Sequence, residues 1–168
     1  RNELAEPLGA DFHIGLPASE DARVADLVPP AAGSSISSVA EGSLAANMAN
    51  NPGIDVLATR TRAWRGAEIP AAGGTGNARS VATVQTILAN GGTAGGKQFL
   101  SEAGCRKALE LQIEGQDLIL GIPVRYGLGF GLHGGLVPLP NSSCMYWGGY
   151  GGSLVIIDMD ARTCIAYA

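Results

Sequence analysis

Apolar and polar positions are most sharply patterned at the end of the chain. Leu154 to Ile157 is a continuous apolar run rich in β-branched residues, Asp158 to Ala161 supplies turn-forming residues, and Thr163 to Tyr167 is apolar and β-prone again. This pattern predicts a β-hairpin. Immediately before it, Trp147-Gly148-Gly149-Tyr150-Gly151-Gly152 sets four glycines around aromatic residues. Glycine at that density costs backbone entropy and adds little packing, so the segment reads as one kept for close approach of something to the backbone.

Earlier in the chain the signals are mostly helical. Asn2 to Leu8 reads as a helix end stopped by Pro7 and Gly9, and Asp11 to Pro17 as an extended connection in which His13 is a packed structural residue. Ser19 is placed to cap a short helix through Leu27, ended by Pro29-Pro30, and Ala31 to Ser38 is a small Ser-rich loop. A weak helix follows from Ser43 to Ala49, then the breaker Asn51-Pro52-Gly53. Ile54 to Trp64 reads as helical, with Arg60, Arg62 and Arg65 on a solvated face rather than at a substrate carboxylate. Pro70 to Gly76 is flexible; Asn77 then caps a helix in which Val81, Val84 and Leu88 recur at helical spacing until Gly91-Gly92. Gly95-Gly96-Lys97 is a turn, Ser101 caps a helix to about Leu111, and Gln112 to Gln116 is a loop. Asp117 to Leu132 reads as extended, with Gly127, Gly129 and Gly131 alternating against Leu128, Phe130 and Leu132.

Composition narrows the classes. In 168 residues, 46% are hydrophobic and 15% charged, enough to build a core and unlike a disordered tail. The net charge is −4 and the eleven Lys and Arg are scattered, which argues against a nucleic-acid face. Cys105, Cys144 and Cys164 lack metal-like spacing and read as small buried hydrophobes in a reducing compartment. No eighteen-residue apolar span and no signal-peptide pattern occur, so the expectation is a cytoplasmic protein with no membrane span. Both ends read as cut from something longer, since the chain opens without Met and stops inside an apolar strand.

Familiar site motifs mostly fail. Gly74-Thr75-Gly76 lacks the third glycine and the preceding strand of a dinucleotide fingerprint, and no Gly-Lys-Ser/Thr phosphate loop occurs. His133-Gly134-Gly135 is followed by Leu-Val-Pro-Leu-Pro, whose prolines forbid a central strand, so His133 is assigned to a loop.

Three segments in order carry a resemblance. PAAGGTGNAR (70–79), YGLGF (126–130) and Trp147-Gly148-Gly149 with its following hairpin resemble the C-terminal half of the catalytic domain of serine β-lactamases and penicillin-binding proteins. The Trp-Gly-Gly form is closest to the third motif of lactamase-like, family VIII carboxylesterases. The resemblance implies an α+β fold, an antiparallel sheet flanked by helices, with all of residues 1–168 forming the C-terminal portion of one such domain. It implies no cofactor and no metal. The backbone N–H of Tyr150 would help form the oxyanion hole, and Trp147, Gly148, Gly149, Asn77 and Arg79 would bind substrate. Trp147 stands where lactamases usually carry a lysine, which favours a neutral ester over a β-lactam.

A serine acyl enzyme also needs a nucleophile and a base. The Ser-x-x-Lys of that family is absent: the residues three before Lys97 and Lys107 are Ala94 and Gly104. Its Tyr-x-Asn/Ser element and Gly-x-Ser-x-Gly are absent as well. The chain alone is therefore expected to be inactive, with its nucleophile and base supplied by a missing N-terminal portion of the same domain or by a companion chain. A β-lactamase or DD-peptidase, a non-catalytic lactamase-like binding protein, and an unrelated Gly-rich binding domain are the alternative readings.

Overall fold

The computed structural model describes residues 1–29, 40–51, 53 and 55–168. The loop expected at Ala31 to Ser38, and Pro30, Pro52 and Ile54, lie outside the described residues. In chain order the elements are β1 (Phe12–Ile14), α1 (Leu44–Asn50), α2 (Arg62–Gly66), β2 (Gly74–Gly76), α3 (Ala78–Ala89), β3 (Thr93–Ala94), β4 (Lys97–Gln98) and α4 (Glu102–Lys107), followed by six strands. These are β5 (Ile113–Gln116), β6 (Pro123–Tyr126), β7 (Gly131–Leu132), β8 (Cys144–Gly148), β9 (Leu154–Asp158) and β10 (Thr163–Tyr167). Two compact units result: one of Arg1–Phe12, Gly76–Gln116 and Pro123–Ala168, the other of His13–Thr75 and Asp117–Ile122.

The first unit is built on the six late strands, ordered β10-β9-β8-β7-β6-β5, each antiparallel to its sequence neighbour. Met145, Ile157 and Cys164 stand opposite one another across β8, β9 and β10, and Val155 lies two residues along the same face. That face joins Ala89 of α3 with Cys105 of α4 and nearby Ala108 in one apolar cluster, and Met145 and Ile157 are sealed from solvent. The opposite face carries Ile156, Ile165 and Tyr167, the last two exposed. The C-terminal hairpin thus forms as its pattern predicts.

α3 runs from 78 to 89, and the Asn77 side chain accepts the Ser80 N–H at 2.9 Å, satisfying an amide that the first turn leaves unpaired. The Ser80 hydroxyl in turn accepts the Asp11 N–H at 3.0 Å, tying the N-terminal segment to the helix. α4 is shorter than expected, ending at Lys107 rather than near Leu111, although Ser101 caps it through the Gly104 N–H at 3.0 Å.

Two expectations for the middle of the chain are corrected. Residues 113–116, read as a loop, form β5, and the extended run expected from Asp117 starts instead as a turn. Asp117 imposes that turn: its carboxylate accepts the Ile119 and Leu120 N–H groups, each at 2.8 Å, and Gly121 takes φ of +67°. The alternating glycines of YGLGF do not line one strand either. Gly127 to Phe130 is the turn between β6 and β7, closed by the Gly127 N–H on the Phe130 carbonyl at 2.8 Å, with Gly129 at φ +81°.

In the second unit, the helix expected from Ser43 to Ala49 forms as α1, with Ser43 just outside it as the cap that accepts the Ala46 N–H at 3.1 Å. The single helix expected up to Trp64 is instead a 3-10 segment, Val56–Arg60, followed by α2. Thr61 separates them because its backbone is extended and its hydroxyl caps the Trp64 N–H at 3.2 Å. Ser19 is no cap: it lies inside a 3-10 segment, Ala18–Arg23, with Pro17 at the cap position. The three arginines do not form a bare solvated face. Arg62 pairs with Asp21 at 2.5 Å, Arg65 with Asp26 at 3.0 Å, and Arg60 donates to the Leu27 carbonyl at 2.6 Å, so they hold segment 16–27 in place. His13 is buried. Among the described residues no helix is long and apolar enough to cross a membrane.

Candidate active site at one end of the sheet

An up-and-down sheet sends its turns alternately to its two ends. The β6–β7 turn (127–130) and the glycine loop between β8 and β9 (149–153) therefore leave the sheet at the same end. The β9–β10 turn (159–162) lies at the other.

The direction of α3 brings a third segment to the first end. Its C-terminal residues Ala89, Asn90 and Gly91 line a small cavity with Met159 and Arg162 of the β9–β10 turn, and the helix packs along β9 and β10. Twelve helical residues span about 18 Å and five strand residues about 17 Å, so the helix covers the length of the strand. Its N-terminus, with Asn77 and Arg79, consequently lies toward the Gly148–Leu154 end. The segments 77–79, 126–130 and 147–150, far apart in sequence, share one end of the sheet.

Within the loop the amides divide into used and unused. The Gly149 N–H donates to the Ser153 carbonyl at 2.8 Å, and the Gly152 N–H to the Gly149 carbonyl at 3.0 Å, closing a tight turn. Gly152 has φ of +97°, a conformation that favours glycine. A Cβ on Gly149 would stand 2.5 Å from the Ser153 Oγ. The N–H of Tyr150 has no acceptor among the described residues, and Tyr150 is 73% exposed. Trp147, the last large residue of β8, is 50% exposed, and its ring meets that of Tyr126 at a centroid distance of 5.8 Å and a tilt of 50°.

Of the residues singled out from sequence, Trp147, Gly148, Gly149 and Tyr150 are contiguous and accessible. Asn77 spends its side-chain oxygen on the helix cap. Arg79 is exposed and has no ion-pair partner among the described residues. His133 is exposed in the β7–β8 connection, at the end of the sheet away from Trp147, consistent with its assignment to a loop. The cavity beside Arg162 does not include the tryptophan loop. Tyr126 was not singled out as a partner for Trp147, although it opens the YGLGF segment that was.

Burial works against thiolate formation at all three cysteines. Cys105 and Cys144 are free and buried. Burial, reinforced by a hydrogen bond with Asp158, pushes Cys144 up to about 11, and burial raises Cys105 and Cys164 as well.

The antiparallel sheet with its helices has the β-lactamase and transpeptidase-like fold. A family model described as Beta-lactamase matches residues 1–168, and the chain belongs to that family. It is 36% identical to a family VIII carboxylesterase of known crystal structure, with a TM-score of 0.86 over 99% of this chain and 43% of that one. A penicillin-binding protein homolog from Caulobacter crescentus is 31% identical, with a TM-score of 0.79 over 100% of this chain and 44% of the other. The esterase/beta-lactamase LipL of Mycobacterium tuberculosis (strain ATCC 25618 / H37Rv) is 32% identical over 154 residues, 84% of this chain and 34% of LipL. The chain spans less than half the length of each of these relatives.

Proposed function

We propose that this chain is the C-terminal part of a serine hydrolase that cleaves carboxylic esters, contributing the third motif, Trp147-Gly148-Gly149, and the oxyanion amide of Tyr150. The nucleophile and base come from polypeptide outside these 168 residues, in the same domain or in a companion chain. The observation that carries this reading is the unpaired Tyr150 N–H beside a closed glycine turn. A donor fixed in place and aimed at the developing alkoxide is the largest single electrostatic aid to acyl transfer. Trp147 at the third motif, and the similarity to a family VIII carboxylesterase, support an ester as substrate.

The test uses the complete polypeptide that carries this segment, assayed with a short-chain aryl ester. Tyr150→Pro removes the N–H and is expected to lower kcat by about 10²- to 10³-fold. Tyr150→Ala keeps the amide and is expected to retain most of the rate. Equal losses in the two variants, with unfolding temperatures unchanged, rule out the amide role.

A second reading is favoured by Arg79. An exposed guanidinium without an ion-pair partner among the described residues, at the same end as the loop, suits a carboxylate-bearing substrate such as a β-lactam. Under that reading Arg79→Ala weakens hydrolysis of a chromogenic cephalosporin while sparing that of a neutral ester. Under the ester reading it changes both little.

A further inference from the structure

We propose that Tyr126 is a specificity-determining residue of this site, forming with Trp147 an aromatic wall that takes a flat, neutral, apolar group of the ester. The inference rests on the ester-hydrolase reading above and extends it to the kind of group accepted.

Tyr126 ends β6 and Trp147 lies near the end of β8, with the two-residue β7 between them. Tyr126, Gly131 and Tyr146 stand opposite one another across these strands. Gly131 has no side chain to interpose, and the Tyr146 ring fills that space, since a Cβ there would lie 2.3 Å from the Tyr146 Cε1. At the end of the sheet the Tyr126 and Trp147 rings meet at a centroid distance of 5.8 Å, tilted at 50°. A tilted aromatic pair fixes ring orientation and adds to burial. Within these 168 residues Trp147 keeps 50% exposure, so Tyr126 orients the indole without covering it.

A large apolar surface held rigidly and left half open is the form of a recognition platform. Leu128, exposed on the adjoining β6–β7 turn, extends the apolar surface at this end. Neither turn carries a charge: residues 127–130 are Gly-Leu-Gly-Phe and residues 147–153 are Trp-Gly-Gly-Tyr-Gly-Gly-Ser. An aryl group gains dispersion and ring contacts there, whereas a saturated ring of equal bulk lacks the flat face to match.

The experiment compares matched esters of the complete polypeptide's reaction. Benzyl acetate against cyclohexylmethyl acetate probes the alcohol side, and methyl phenylacetate against methyl cyclohexylacetate the acyl side, with an unconjugated carbonyl throughout. Tyr126→Ala is expected to raise KM for the phenyl-bearing ester of one series by about tenfold, with kcat and the alkyl ester little changed. Tyr126→Phe is expected to keep the wild-type ratio. If the phenyl-to-alkyl ratio is unaltered in both series, or if Phe fails as Ala does, the aromatic wall is refuted. Binding is read separately from the ¹⁹F resonance of Trp147 in 5-fluorotryptophan-labelled protein, assigned by its loss in Trp147→Phe. A Tyr126-dependent shift on adding benzyl acetate or methyl phenylacetate, without turnover, supports the wall and overturns the hydrolase reading. Turnover with an unchanged ratio does the reverse.

Discussion

The side-chain amide of Asn141 donates to the carboxylate of Asp158 at 2.9 Å, joining the β7–β8 connection to the end of β9. The other Asp158 oxygen accepts the N–H groups of Asp160 and Ala161 at 2.9 and 2.8 Å. One carboxylate thus fixes both the hairpin turn and the loop beside it.

These bonds hold the Asp158 carboxyl below its ordinary value of 3.8, with the Ala161 amide the largest cause, burial opposing it, and the Cys144 thiol and Asn141 amide helping. A carboxyl depressed in the folded state contributes stability that is complete above its unfolded pKa and disappears as pH falls through its folded pKa. Asp158→Asn is therefore expected to destabilise the protein at pH 7 by about 1–3 kcal/mol and to flatten the loss of stability below about pH 4. Denaturant midpoints across pH 2–7 give the answer; parallel curves for the two proteins would mean that this carboxylate does not participate.

Cys144 is expected to resist alkylation while the protein is folded. With its thiol raised to about 11 and its side chain sealed from solvent, almost no thiolate is present at pH 8. Mass spectrometry after iodoacetamide treatment should show Cys144 modified only when denaturant is added. Prompt labelling in the native state would mean that β8 opens locally.

Gly131 admits no larger residue. Its Cβ would lie 2.3 Å from the Tyr146 ring, so Gly131→Ala is expected to destabilise by about 1–3 kcal/mol through overpacking. Pairing it with Tyr146→Leu should recover part of the loss, because the smaller side chain vacates the clash. A double variant no more stable than Gly131→Ala would place the cause in the backbone instead.

Asn77 separates a structural role from a substrate role. Its side chain caps α3, so Asn77→Ala is expected to cost about 1 kcal/mol and Asn77→Asp to cost little. If capping is its whole contribution, kcat and KM of Asn77→Asp in the complete polypeptide match the wild type; a raised KM at unchanged stability would restore it as a substrate contact.

Much of the fold is legible where side-chain chemistry is local. The β-branched run of β9, the Asp158 turn and the Asn77 cap each act within a few residues, and each forms as its pattern predicts. β5 is hidden because Ile113, Glu114, Gly115 and Gln116 are all exposed on an edge strand and so carry no inward-outward alternation. Its partner is found through a cross-strand pair, Glu114 opposite Arg125 at 2.5 Å. YGLGF misleads for the opposite reason, since its alternation mimics a strand while Gly127 is required for close approach to α4: a Cβ there would lie 2.1 Å from the Ala108 carbonyl.

The members of the candidate site can be read from sequence, but their meeting cannot. Trp147 to Tyr150 declare themselves by composition, whereas bringing Asn77 and Arg79 to the same end depends on the direction in which α3 lies on β9 and β10. The Tyr126–Trp147 contact joins residues of two strands that do not pair with each other, which no local pattern announces.

The strand order of the large sheet also bears on how it is made. Every pairing among β5 to β10 joins strands made one after the other, so none of these five pairings waits on a distant stretch of chain. Ring closures that short are entropically cheap and fast. As the polypeptide leaves the ribosome, each new strand finds its template already in place, and the sheet can grow by accretion from β5 toward β10.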